Sequence, residues 1–351
     1  MGFLISMVVL SFLIFFHELG HFLVARLFKV KVEVFSIGFG STILKKVVGD
    51  TEYRLSLIPL GGYIKMKGQD DLEPTSSSND SDSYNSKTPL QRIGILLGGP
   101  LFNFILAFIL FIAISFIGFK TLSPTIGNLQ ADMPAVESGL KNGDLILSIN
   151  SEKIQSWKEL SKEIKESTNN IVFHVQRGDE TINVSVTPKI VEAKNIFGET
   201  VLQKMVGISP NGDIVNYKLP FYKSIIYGYE ETISSTTLIF KSVEKLIVGV
   251  LALDQLGGVV SIFEVTAKAS ETGLTALIFM VALLSVNLGV LNLLPIPALD
   301  GGHIIFNLYE LIRGRSPNEK VMYGLTIAGW FILLSLMSIG LFNDINRLVA
   351  G

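Results

Sequence analysis

The sequence predicts a mainly α-helical membrane protein with about four spanning helices, a small sheet at the cytoplasmic side and a separate α+β domain outside the membrane. Three observations carry that expectation. The chain of 351 residues is 48% hydrophobic with a mean hydropathy of +0.48, yet 17% of its residues are charged, a mixture that fits spans alternating with polar domains. Four segments are long and apolar enough to cross a bilayer, about residues 1–28, 93–119, 274–294 and 321–342. Between the second and third lies a long polar stretch that reads as a folded domain followed by amphipathic helices. The formal net charge of -2 gives no reason to expect a nucleic-acid partner, and a chain without cysteine has neither disulfides nor thiolate metal sites.

The first segment holds an anomaly. Its first 25 residues contain no Lys, Arg or Asp, and Glu18 is the only acid, but it carries the pattern His17-Glu18-Leu19-Gly20-His21. On a helix, residues four apart share a face, so His17 and His21 can offer two imidazoles to one divalent ion, with Glu18 beside them to take a proton from an attacking water. Three such residues at membrane depth are costly, roughly 2.5–3.5 kcal/mol for a charged one on insertion scales, which favours a functional partner over chance. The segment lacks the basic start and small-residue cleavage site of a signal peptide and reads as a retained span over residues 1–29.

Orientation follows from the basic residues. Nine Lys or Arg lie from Lys29 to Arg92, and Arg313, Arg315 and Lys320 fill the third connection, so both loops are expected in the cytoplasm and both termini outside. Residues 30–68 alternate strand formers with turns; Tyr53, Leu55 and Leu57 suggest a half-buried strand in a sheet against the membrane. Residues 69–89 are polar and low in complexity, as expected of a flexible loop. The second span, residues 90–120, opens with Gly98-Gly99-Pro100-Leu101-Phe102-Asn103, where small residues and Asn103 point to helix packing rather than chemistry.

Outside the membrane, residues 125–210 form a candidate domain. The run Met133-Pro134-Ala135 to Gly139-Leu140-Lys141-Asn142-Gly143-Asp144 resembles the signature of PDZ domains of bacterial proteases, followed by a helix over 157–166 and strands over 171–176 and 181–187. Such domains bind a peptide or chain end by adding it to a sheet edge. His174 falls in an alternating strand and reads as an ordinary strand residue. Residues 211–272 interleave aromatic and basic residues, as amphipathic helices on the outer surface do.

The third span, within 273–303, ends in Asn292-Leu293-Leu294-Pro295-Ile296-Pro297-Ala298-Leu299-Asp300-Gly301-Gly302-His303. A helix broken by two prolines at membrane depth is tolerated where the freed backbone lines a cavity, so Asp300 in its glycine-rich turn is expected to face one. Asp300 and His303 compete for a third ligand position. Asp300 is preferred on charge, because zinc, one carboxylate and one hydroxide sum to zero in a low-dielectric setting. A fourth span covers 319–343.

With both motifs in view, the chain resembles the site-2 protease family of intramembrane zinc metalloproteases, in its bacterial regulator-of-sigma-E branch with a single PDZ domain. The resemblance covers nearly the whole chain. It implies Zn2+ held by His17, His21 and Asp300, with Glu18 as catalytic base. It also implies that Asn287 and Asn292, or at least one of them, contact substrate, and that a sheet including Gly38, Tyr53, Leu55 and Leu57 clamps it. The expected substrates are single-pass membrane proteins such as anti-sigma factors, or remnant signal peptides. The expected place is the bacterial inner membrane with the PDZ domain extracytoplasmic. A metal transporter would show repeated halves, and a scaffold would need no metal motif; the sequence has one candidate site and no repeat.

Overall fold

The computed structural model describes residues 2–69 and 80–350. The chain divides into two compact units, residues 1–114 with 224–351, and residues 115–223. Four described helices are long and apolar enough to cross a membrane: Gly2–Leu27, Pro89–Ile117, Leu274–Asn292 and Glu319–Val349.

In the first unit, helix α1 (Gly2–Leu27) is stopped by Lys29 in the left-handed region, with Val30 N–H returning to the Ala25 carbonyl at 2.8 Å. Strands β1 (Val32–Val48) and β2 (Thr51–Met66) follow. Each is folded on itself, so the pair makes four strand segments. The half of β2 around Tyr53–Leu55 is paired on both sides, with Phe35–Ile37 on one and Leu44–Lys46 on the other. Phe35–Ile37 is likewise paired with both Tyr53–Leu55 and Gly62–Ile64. The segment order is therefore 42–48, 51–58, 34–39, 62–66, and its rims are the first and last of these. Tyr53, Leu55 and Leu57 alternate with less exposed neighbours, but they are the open positions of the strand while Ser56 between them is buried. Beside a membrane, an apolar strand face need not turn toward a protein core.

Of the polar loop, residues 70–79 lie outside the described residues. The rest is anchored rather than loose. Lys67 pairs with Asp80 at 2.8 Å and Asp82 at 2.7 Å, which holds its ammonium above the usual lysine range. Buried Tyr84 joins Ala25, Val30, Val32, Met66 and Ile95 in one apolar cluster. Thr88 then caps helix α2 (Pro89–Ile117) reciprocally: Gln91 N–H donates to its hydroxyl, and Gln91 Oε1 accepts from its N–H, with Pro89 in the first turn.

The second unit runs from the end of α2 through β3 (Phe119–Leu122), β4 (Ile126–Leu129), the short α3 (Pro134–Glu137), β5 (Leu145–Ile149), β6 (Glu152–Lys153), α4 (Trp157–Glu166), β7 (Ile171–Arg177), β8 (Glu180–Val186), β9 (Lys189–Lys194), β10 (Thr200–Met205), β11 (Ile208–Pro210) and β12 (Ile214–Tyr217). Its central sheet has the order β6-β5-β7-β8, flanked by the pairs β4 with β11, β3 with β12, and β9 with β10. Ile126, Ile146, Leu160 and Phe173 lie in one core, and buried Asp144 is clamped by the Arg177 guanidinium at 2.7 Å. His174 sits in β7 between Ser148 and Asn183, a strand residue as expected.

Helix α5 (Phe221–Ile247) is inside-out by soluble standards. Ser224, Gly228, Glu231, Thr232 and Ser235 are buried, whereas Ile225, Ile226, Tyr229, Ile233, Leu238 and Phe240 are exposed. Small residues let it approach α2, where Gly228 lies against Ile112 and the Phe108 carbonyl. Helix α6 (Val259–Thr272) does not lie apart on a surface: Ser6 donates to the Phe263 carbonyl, and Phe3 stacks on Phe263. Helices α7 (Leu274–Asn292), α8 (Asp300–Arg313) and α9 (Glu319–Ala350) complete the unit. Asp344 of α9 caps α6 by accepting from the Gly258 and Ser261 N–H groups.

Candidate metal centre

His17 and His21 reach one spot because they are one helical turn apart on α1. Asp300 reaches the same spot because the chain turns back after α7. Residues 293–299 form a tight, proline-containing connection, with Ile296 N–H bonded to the Leu294 carbonyl and Leu299 N–H to the Ile296 carbonyl. Gly301 and Gly302 lie against the carbonyls of Leu293, Leu294 and Ile296, closer than a side chain would permit. Asp300 itself is the first residue of α8, not part of a glycine-rich turn.

Asp300 Oδ2 lies 3.3 Å from Nε2 of His17 and 3.3 Å from Nε2 of His21, and those two nitrogens are 3.2 Å apart. All three side chains are largely buried, and among the described residues this is the one group of metal-competent side chains so gathered. Asp300 Oδ2 is buried without a hydrogen bond. Two imidazole nitrogens and an orphaned carboxylate oxygen facing one another at this spacing call for a shared cation. Arms of about 2.0 Å in a tetrahedron place neighbouring ligand atoms about 3.3 Å apart, so nitrogen and oxygen donors at these separations fit zinc. A side chain on Gly99 of α2 would fill the cradle, its Cβ falling 2.2 Å from His21 Nε2 and 2.7 Å from His17 Cε1.

Helix α2 also supports the imidazoles from behind. His21 Nδ1 donates to the Ile95 carbonyl at 2.8 Å, which leaves the lone pair on Nε2, and His17 Nδ1 is 3.0 Å from the Asn103 amide. Sequence reasoning assigned Asn103 to packing and did not single out Gly99. The signal was the Gly98-Gly99 pair, which reads equally as a helix-packing motif. Close approach is indeed its other task, since a Cβ on Gly20 would strike the Gly98 carbonyl oxygen at 2.1 Å.

Glu18 is half-buried beside this group, and Gly62 of β2 packs against its Cγ. The sheet is thus brought to the same end of α1. A groove of about 640 Å³ opens between α1 and the sheet, walled by Phe15, Leu19, Phe22, Phe35, Tyr53 and Leu55. Leu57 is exposed away from those walls, and Gly38, at φ 90°, faces the Ser56 and Ile58 carbonyls rather than the groove. Asn287 and Asn292 are both half-buried on α7, five residues apart, so they do not share a helix face. His303 is turned from the cluster into a separate cavity of about 110 Å³, lined also by Arg92, Asn307 and Glu310.

The sequence pattern of peptidase family M50 matches residues 5–336. A protein of Campylobacter jejuni named as a zinc metalloprotease is 46% identical over 99% of this chain and 94% of its own. One of Helicobacter pylori, named likewise, is 39% identical over 99% of this chain and all of its own. The regulator of sigma-W protease RasP of Bacillus subtilis is 30% identical over 97% of each chain. Among solved structures, the PDZ domain of an SdrC-like protein from Listeria monocytogenes is 19% identical, covers 26% of this chain and 88% of its own, and has a TM-score of 0.21.

Proposed function

Because the chain belongs to peptidase family M50, the site-2 protease family of zinc metalloproteases, we propose that it cuts single-pass membrane proteins at a zinc centre held by His17, His21 and Asp300. The observation that carries this reading is the triangle of Nε2, Nε2 and Oδ2 atoms 3.2–3.3 Å apart inside a helical unit with apolar spans. Zinc held there by His17, His21 and Asp300 would supply a Lewis acid to the scissile carbonyl and would lower the pKa of an attacking water to about 7. Glu18 takes the proton of the attacking water and passes it to the leaving amine.

A helical substrate has its scissile carbonyl bonded within the helix and must unwind first. The sheet offers the replacement bonds, but not where the sequence placed them. Tyr53–Leu55 and the Phe35–Ile37 strand beside Gly38 have both edges occupied, so neither can accept a guest strand. Among the described residues, the rims at 42–48 and 62–66 are each paired on one side only, and the second starts beside Glu18. The unwound segment pairs along the rim nearest Glu18, and the groove, lined by Tyr53 and Leu55 together with Leu44, Lys45 and Lys46, takes its side chains. Asn287, Asn292, Leu57 and Gly38 remain proposed contacts by resemblance only; the position of Gly38 suits shaping of the sheet.

Anti-sigma factors are the proposed substrates, in keeping with the name of the Bacillus relative, and remnant signal peptides are the second class. The unit at 115–223 is proposed to hold the PDZ domain at 125–210, outside the cytoplasm on a protein of the inner membrane, binding a peptide or chain end. The absence of cysteine makes these points testable with single introduced thiols. Lys153→Cys should react with an impermeant maleimide from outside the inner membrane and Ser81→Cys should not; the reverse pattern overturns the orientation. Lys65→Cys should cross-link to a cysteine near the cut site of a membrane reporter, whereas Arg315→Cys, exposed between α8 and α9, should not. The activity itself is tested by cleavage of that reporter with purified protein, with zinc content measured alongside in His21→Ala. Zinc retained by that variant at the wild-type level would dismiss the proposed centre.

A further inference from the structure

Asn103 is wholly buried in α2, and its side chain touches His17 Nδ1 at 3.0 Å. With the amide nitrogen toward the ring, Nδ1 is an acceptor, so a neutral His17 carries its proton on Nε2 and points it into the cluster. In that arrangement Asn103 Oδ1 is buried with no hydrogen bond. The two ends of an amide have the same shape, and its orientation is set by the bonds it can make. Turning it by half a revolution gives the buried Oδ1 the Nδ1–H proton to accept, and Nε2 keeps its lone pair toward Asp300 and His21.

We infer that Asn103 is a positioning residue for the metal centre, fixing the tautomer and ring plane of His17 through an Nδ1–H to Oδ1 hydrogen bond. It does for His17 what the Ile95 carbonyl does for His21, so both imidazoles are set by α2. Its own main-chain carbonyl accepts from Ser285 Oγ at 2.7 Å, tying the same turn of α2 to α7. One residue thereby links the ligand-bearing α1 to the helix that leads to Asp300. The inference rests on the reading of His17, His21 and Asp300 as zinc ligands and adds a residue that neither touches the metal nor the substrate.

The test uses the full-length protein in detergent or lipid discs. Zinc affinity is read by competition with a chromophoric chelator, and the ligand field by the visible spectrum of the cobalt(II) form. Asn103→Leu keeps the volume but has no acceptor, and should weaken zinc binding about ten- to a hundredfold. Asn103→Asp keeps an acceptor oxygen in place and should bind as tightly as wild type or more tightly, with the wild-type cobalt spectrum. Ser285→Ala removes only the bond to the Asn103 main chain and should leave zinc affinity unchanged. Wild-type affinity in Asn103→Leu would overturn the inference, as would a loss in Asn103→Asp equal to that in Asn103→Leu. Should Asn103→Leu fail to fold, Asn103→Asp decides alone: retained affinity supports the role and a tenfold loss refutes it. A wild-type protein that binds no zinc would instead sink the ligand assignment beneath the inference.

Discussion

Replacing Glu18 by Gln should leave the three ligand atoms untouched and remove the proton acceptor beside them. The expected outcome is wild-type zinc content with cleavage reduced by about a hundredfold or more, the usual scale for a lost general base. Zinc analysis and a reporter assay on the same preparation check both halves. Gly99→Ala tests the cradle without altering any ligand. Its new Cβ would lie 2.2 Å from His21 Nε2, so the variant should lose zinc affinity in a chelator competition while its helices stay intact by circular dichroism. At this scale the sequence was informative where chemistry restricts residue type. His17, Glu18 and His21 stood out because ionisable groups are expensive in an apolar helix, and Asp300 because a broken helix implies a cavity. Gly99 and Asn103 did not, because small and amide residues serve helix packing as readily as they serve a metal, and only their distances to the imidazoles tell the two apart.

Among the elements, the four long apolar helices were legible from hydropathy alone, three of them to within a few residues and the fourth short of its end at Ala350, and α4 from its amphipathic pattern. The sheet was legible as strands but not in its pairing. Alternation at Tyr53, Leu55 and Leu57 marks a strand without saying which face is covered, and the doubling back of β1 and β2 is set by long-range register. Helices α5 and α6 were read as surface elements because amphipathicity does not reveal which face is inward when the surroundings are lipid. The cap on α6 gives a prediction here. Asp344 accepts from two N–H groups at its N-terminus, so Asp344→Ala should cost about 1 kcal/mol of stability, seen as a lower denaturation midpoint with the zinc site unaltered.

For the whole molecule, a metal held as proposed between α1 and α8 would also brace sequence-distant parts of the first unit. Ligand binding to the folded state alone stabilises it by about 2.7 kcal/mol at a hundredfold excess over Kd. Chelation should therefore lower the thermal midpoint, added zinc should restore it, and His21→Ala should respond to neither; differential scanning fluorimetry on the three samples checks this. A second consequence concerns the sheet. Its inner segments have no main-chain groups to spare, which leaves a visiting chain the two rims, of which 62–66 is the one beside Glu18. Docking through amides and carbonyls is blind to the identity of the side chains that flank them. An enzyme built so would choose its cut by distance from the membrane border more than by the letters of the segment, measuring its substrate rather than spelling it.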